Sequence, residues 1–234
     1  MAGKQLASQT VPTTGGNVVT SDRVGAASGV AGLGADGKVP TAQLPDLSST
    51  YATVAAYGNA WTANDHGFIS WAFDPACSGS NGTSLSVGYI YLVEVILRSA
   101  ATVSKIAAVV GTAGATLTAN QCLAGLYSSA GTRLAVTDDQ ATAWTSVGYK
   151  AMSLTSTYSA AAGKYFVALV VNGTTSPGFA CGSTYGATFT PGNANLAAGA
   201  YRFCRSGAGN TSLPTSITLP GYTPDANNVW VAVL

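Results

Sequence analysis

Few residues in this 234-residue chain could carry acid–base or nucleophilic chemistry, because it contains one histidine and nine acidic residues. Asp65 and His66 are the only neighbouring acid and histidine. Adjacent residues of an extended segment point to opposite sides, so Asp65 would not orient His66. A hydrolase needs a nucleophile with a base, or a close pair of carboxylates. We therefore expect no catalytic residues and predict that the protein is not an enzyme.

The chain also lacks the usual patterns for metal and phosphate binding. Asp138 and Asp139 could form one side of a calcium site, but a hard cation requires more oxygen ligands than this pair supplies. We interpret the pair as a solvated loop. The glycine-containing stretches lack the spacing of a phosphate-binding loop. We expect neither a metal nor a cofactor.

The cysteines form no metal-binding pattern. No two of them have the spacing of a CxxC pair, and His66 has no cysteine near it, so a zinc site is not expected. The cysteines could form one or two disulfides, with three full pairings possible, or they could be free buried thiols, and the sequence leaves both interpretations open. The four residues are Cys77, Cys122, Cys181 and Cys204.

Aromatic side chains in polar segments are the better candidates for ligand binding, because they can stack on sugar rings while small polar loops supply hydrogen bonds. Trp144 lies in the polar segment 140–148, and three tyrosines lie in loop-rich regions. Trp230, by contrast, is expected in the core. The predicted ligand-binding residues are Trp144, Tyr185, Tyr201 and Tyr222.

The elements that must position these residues are strands. Between residues 102 and 173 the sequence divides into apolar runs at 103–110, 121–127, 133–137, 149–155 and 164–172, separated by clusters of glycine, serine, threonine and alanine. Short strands with such punctuation are typical of an antiparallel sandwich or barrel. Residues 106–110 and 165–171 are apolar at nearly every position. These two strands must be covered on both faces, which places them centrally or at a subunit contact.

Residues 1–57 have a different composition from residues 58–234. They combine glycine, alanine, serine and proline with isolated valine and leucine, and contain no aromatic residue before Tyr51. No window repeats with a helical or strand period long enough to bury a face. Alone, such a segment cannot offset the entropy cost of ordering. We expect an extended arm at 1–57 that needs a partner or copies of itself, with a turn at 35–38, and a folded head at 58–234.

Composition restricts the partners. Only 8% of residues are charged and the net charge is +1, against about 25% charged residues in a typical soluble domain. Without a basic patch, nucleic acid is not an expected partner. The longest apolar run, at 89–97, is too short for a membrane helix, and the first residues lack the apolar middle of a signal peptide. A charge-poor surface without a secretion signal suits a virus particle released by lysis.

The arm and head together resemble a known class of protein. The phrase GLGADGKVPTAQLPDLSSTY at residues 32–51 resembles the linker of bacteriophage tail-fibre and minor tail proteins. The stretches LAGLYSSAGTRLA, ATAWTSVGYKAMSLT and AGKYFVALVVNGTTSP are similar to C-terminal β-sandwich domains on fibres of phages that infect actinobacteria. The resemblance implies an all-β chain, with a jelly-roll-like antiparallel sandwich behind an extended low-complexity arm.

The resemblance further implies a homotrimeric fibre or spike on the virion. Its arm at 1–57 would contact other virion proteins, and its head would adsorb to the host surface, where a glycan is the expected ligand. Trimerisation also follows from the arm's scattered apolar residues, which need copies to bury against, and repetition would strengthen weak sugar binding. A capsid decoration or head fibre and a non-viral carbohydrate-binding module remain alternatives.

Overall fold

A computed structural model describes residues 35, 37–39, 61–79, 83–182 and 191–234. The chain divides into two compact units, Met1–Asn59 and Ala60–Leu234. In the first unit the described residues include Gly37, whose φ of 73° fits the turn predicted at 35–38. The remainder of the predicted arm lies outside the described residues.

The second unit is all-β, as the sequence predicts, with short 3-10 turns between strands. The fourteen strands of the described residues are β1 Ser70–Trp71, β2 Thr83–Ser84, β3 Ile90–Leu97, β4 Ala101–Thr112, β5 Ala115–Leu117, β6 Leu123–Ser128, β7 Arg133–Val136, β8 Gly148–Ala160, β9 Gly163–Val170, β10 Gly173–Thr175, β11 Gly178–Phe179, β12 Phe203–Arg205, β13 Thr223–Pro224 and β14 Val231–Val233.

The strands form two six-stranded antiparallel sheets. The first has the order β1-β14-β4-β11-β2, with β8 paired to the other edge of β4, and the second has the order β13-β12-β3-β9-β6-β7. A small sheet of β5 and β10 joins two connections. The sheets meet along one side, where Thr137 bridges to Leu154 of β8. The antiparallel sandwich is confirmed, whereas the jelly-roll-like strand order stays a prediction.

The main core lies between the sheets. Val93, Ile106 and Val167 are at most 1% exposed and belong to one apolar cluster. Burying a side chain of this size contributes about 1.5–3 kcal/mol relative to leaving it in water. Because both sheets supply its members, this cluster holds the sandwich together.

Each sheet also buries apolar residues on its outer face. On the second sheet, Phe166 and Leu92 pack with Leu213 and Leu219 of the segment that follows β12. On the first sheet, Ala107 of β4 packs with residues that precede or belong to β1 and β14, including Phe68, Trp230 and Ala232. The two apolar strands are central, as predicted, since β4 and β9 each have neighbouring strands on both sides. Buried clusters cover both of their faces.

The first strand of the head buries its small residues more fully than its large ones. Ser70 and Ala72 are buried, whereas Ile69, Trp71 and Phe73, which alternate with them, are half-buried, and Ile69 and Phe73 pack against the core between the sheets. The Ser70 hydroxyl donates to the carbonyl oxygen of Ile96 at 2.8 Å. This bond satisfies the hydroxyl, so a small polar residue can face inward at this sheet edge.

We predict that two glycines of similar backbone geometry differ in how much an added methyl group destabilises the fold. Gly131 has a φ of 88° and lies against the Ile217 carbonyl, whereas Gly148 has a φ of 109° and open space around it. Gly148→Ala should cost about 1–3 kcal/mol through backbone strain alone. Gly131→Ala should cost about 1–3 kcal/mol more, because its Cβ overlaps the Ile217 backbone. Urea unfolding of both variants measures the difference, and equal losses would contradict the close approach.

Candidate functional site

Trp144 is part of the core and cannot bind a surface ligand as the sequence suggested. It is 0% exposed and packs edge-to-face on Phe179, with ring centroids 5.2 Å apart. The 3-10 turn Ala143–Thr145 directs the indole inward, while Thr142 and Thr145 on either side stay exposed. The polarity of the segment therefore describes its outer side, and the prediction for Trp144 is wrong for that reason.

Two of the three predicted tyrosines share one surface. Tyr201 and Tyr222 are half-buried and pack against the outer apolar cluster of the second sheet. Burial, with a smaller contribution from Cys204, raises the pKa of Tyr222 to about 12, so its hydroxyl stays protonated at neutral pH. Their role as ligand contacts stays a prediction. Tyr185 lies outside the described residues.

A cleft of about 590 Å³ opens beside this surface. It is bounded by the β6–β7 turn at 129–130, by residues 198–200, which directly precede Tyr201, and by residues 217–220. Its only side-chain hydroxyls come from Ser129 and Thr218, and no ionisable side chain lines it. Its lining offers hydroxyl and backbone groups for hydrogen bonding but no charged side chain.

The candidate catalytic residues do not form an acid–base pair. The carboxylate of Asp65 accepts hydrogen bonds from the backbone nitrogen of Thr62 at 2.8 Å and from its hydroxyl at 2.7 Å. These bonds lower the pKa of Asp65. They also hold the carboxylate on Thr62, so the carboxylate organises the turn that contains His66.

The remaining acidic side chains near the core also have structural partners. The side chains of Glu94 and Asp225 are each 6% exposed and form ion pairs, with Lys164 at 3.3 Å and with Arg205 at 3.0 Å. Asp139 accepts hydrogen bonds from the backbone nitrogens of Cys122 and Ala141, so its carboxylate stabilises the loop in which it lies. Within the described ranges, no three histidine, cysteine or acidic side chains come together as a metal site would require.

All four cysteines are free thiols. Cys122, Cys181 and Cys204 are buried and Cys77 is exposed. Burial raises the pKa of Cys122, and burial with the nearby Asp225 raises that of Cys204 to about 12. Of the two open interpretations, free thiols that pack as small apolar groups describe the buried three.

A second aromatic surface lies where the head begins. We define the aromatic patch as Trp61, His66, Phe68, Trp71 and Tyr149. The His66 ring lies 5.3 Å from Trp61 and 5.3 Å from Trp71, in both cases edge-to-face. Phe68 lies 6.2 Å from His66 and 6.2 Å from Tyr149, so the rings form a continuous series.

The ends of this series are open to solvent. Trp61 is 68% exposed and Tyr149 is 51% exposed, which makes them two of the most exposed large apolar residues of the described chain. Phe68, by contrast, is buried and packs edge-to-face on Trp230, whose indole nitrogen donates to the Phe73 carbonyl at 3.0 Å. A rigid base of core aromatics thus supports the exposed rings.

The turn that presents Trp61 and His66 is closed by local hydrogen bonds. Besides the Asp65–Thr62 bonds, Gly67 donates to the Asn64 carbonyl at 2.9 Å and Phe68 donates to the Ala63 carbonyl at 2.9 Å. Gly67 has a φ of 76°, which reverses the chain into β1. Ile69 then donates to Val233 at 2.8 Å and attaches the turn to β14.

Sequence reasoning missed this patch. The four residues Trp61, His66, Phe68 and Trp71 lie within eleven positions, which is an aromatic density that the rest of the chain does not match. That density was the available signal. Tyr149 could not be associated with them by sequence, because its place on β8 depends on pairing with β4.

No protein-family model, curated protein or solved structure matches the chain. Among the described residues, no helix has the length and apolar character needed to cross a bilayer. The assignment of a function therefore depends on the geometry of the head and on the resemblance of the sequence.

We predict that two tryptophans have opposite effects on stability. Trp144→Ala should lower the free energy of unfolding by about 3–5 kcal/mol, because it leaves a large cavity in the core. Trp61→Ala should change it by less than about 0.5 kcal/mol, because most of the ring is already in water. Thermal and urea unfolding of the two variants test this, and a similar loss for both would show that Trp61 is part of the core.

Proposed function

We propose that the protein is a structural virion component of a bacteriophage. Residues 1–57 act as a virion-attachment and trimerisation arm, and residues 58–234 form a head that contacts the host surface. The observation that carries the binding role of the head is the aromatic patch, which begins at Trp61, a few residues after the arm in the sequence, on a charge-poor β-sandwich. The tail-fibre-like phrase at 32–51 supports the virion assignment.

The chemistry of the head favours binding over catalysis. Asp65, Glu94 and Asp225 are all engaged in turns or ion pairs, and the cleft beside Tyr201 has no ionisable lining. An exposed aromatic surface supported by a rigid sandwich is instead suited to non-covalent recognition. We therefore propose that the protein is not an enzyme, that it requires neither a cofactor nor a metal, and that nucleic acid and membranes are not its partners.

A non-viral carbohydrate-binding module is the second candidate. The exposed rings Trp61 and Tyr149 favour it as much as they favour a viral fibre. The two functions differ in the arm, because a free module does not need residues 1–57 to assemble or to act. A capsid decoration fibre shares the arm and differs only in its position on the particle.

We predict that the full chain is a trimer and that a version starting at Gly58 is a monomer. The arm has too little apolar surface to order alone and needs neighbouring copies, whereas the head has its own core. Multi-angle light scattering of both versions gives their masses, and near-UV circular dichroism checks that the shorter version is folded.

Each result of this measurement has a defined meaning. A trimer that becomes a monomer on truncation supports assembly through the arm. A trimer in both versions moves the contact into the head and would overturn the assigned role of the arm. A monomer in both versions would overturn the homotrimer and favour the free binding module.

A further inference from the structure

The exposed ends of the aromatic patch have the size of a small-ligand site. A whole aromatic side chain buries about 150–250 Å², so the exposed fractions of Trp61 and Tyr149 together amount to roughly 180–300 Å². Val147, two residues before Tyr149, is also 62% exposed. A stable contact between two protein copies buries about 800 Å² on each partner. The patch alone is too small for a second copy but matches a few sugar rings.

The patch is also prearranged, which lowers the entropy cost of binding. The turn that presents Trp61 and His66 is closed by the Asp65–Thr62 hydrogen bonds. Tyr149 is positioned independently, because it pairs with Val109 on the central strand β4. Phe68 contacts both sides of the arrangement. The rings therefore need little reordering when a ligand binds.

The charges near the patch favour a neutral ligand. Among the described residues, Asp65 and Lys150 are the charged side chains of the turn and of the start of β8, and exposed Lys105 lies on the same face of β4 as Ala107. His66 is a further titratable group beside the rings. Asp65 is bonded to Thr62, and the Lys150 ammonium donates to the Ser146 hydroxyl at 2.8 Å. Neither sign of charge is concentrated here, so an anionic or cationic polymer would gain little.

We propose that the aromatic patch is a binding site for a neutral carbohydrate, with the apolar faces of pyranose rings stacked on Trp61 and Tyr149. The imidazole of His66 and the hydroxyl of Tyr149 supply hydrogen-bonding groups beside the rings. Asp65 is a positioning residue that holds the turn. The inference rests on the proposed role of the head in host contact, and it places that contact away from Tyr201 and Tyr222.

The test uses the full chain on an array of neutral glycans that includes glucans, mannans, galactans and N-acetylglucosamine oligomers, with uronic and sulfated glycans for comparison. We expect binding to at least one neutral glycan at up to millimolar concentration. The strongest neutral binder is then titrated, with intrinsic tryptophan fluorescence and isothermal calorimetry as readouts.

The variants separate stacking from other effects. Trp61→Ala and Tyr149→Ala should each weaken binding by about tenfold, because each removes one stacking surface. Trp61→Phe keeps a ring and should retain most of the affinity. Val87→Ser removes an exposed apolar residue elsewhere, at 43% exposure, and should leave binding unchanged. Asp65→Asn should weaken binding and speed hydrogen exchange in residues 61–68.

Several outcomes would overturn the proposal. The first is that the protein binds no neutral glycan of the array, and the second is that it binds charged glycans only. The third is that it binds a neutral glycan but neither Trp61→Ala nor Tyr149→Ala weakens this binding. A fall in mass for these variants with unchanged glycan affinity would assign the patch to contact between copies. If the full chain is a trimer and Trp61→Ala does not change glycan binding, the proposed site is wrong and the fibre function stands. If the full chain is a monomer and Trp61→Ala abolishes glycan binding, the fibre function is wrong and the proposed site stands.

Discussion

Two strands that are apolar on both faces determine how this head is built. The strands β4 and β9 lie at the centre of their sheets, and Ala107 and Phe166 on their outer faces are buried as completely as the residues between the sheets. Apolar surface of that extent cannot face water without a large loss of stability. The sandwich therefore needs a second layer of chain on each side, and the irregular segments of the sequence supply it.

The two covering layers differ in composition and in what they expose. The second sheet is covered by a long segment that buries Leu213 and Leu219 and leaves a neutral cleft. The first sheet is covered by aromatic residues such as Phe68 and Trp230, and large rings extend beyond the area they cover. The exposed rings of the aromatic patch are the margin of this layer. The aromatic residues that cover the first sheet stabilise it, and their outermost rings are therefore rigid and exposed to solvent.

The sequence predicts the strands of this fold better than its surface. Five apolar runs between 103 and 172 match β4, β6, β7, β8 and β9, because burial on sheet faces imposes a pattern that is local in sequence. The exposure of a single aromatic ring, by contrast, depends on residues that are distant in the sequence. Trp144 has polar neighbours but turns inward, and Tyr149 joins Phe68 only through strand pairing. For this reason the predicted site residues did not include the exposed rings.

The attachment of the first strand has a mechanical consequence. Among the described strands, β1 has two residues and pairs with β14 alone, so force applied along the chain before Trp61 reaches the sandwich through this short pairing and the hydrogen bonds beside it. The central pairing of β4 with β8 extends over most of both strands by comparison. Tension would therefore detach β1 from Val233 before it opened the core. Under load, residues 61–73 would separate from the sheet first, while the rest of the sandwich stays folded.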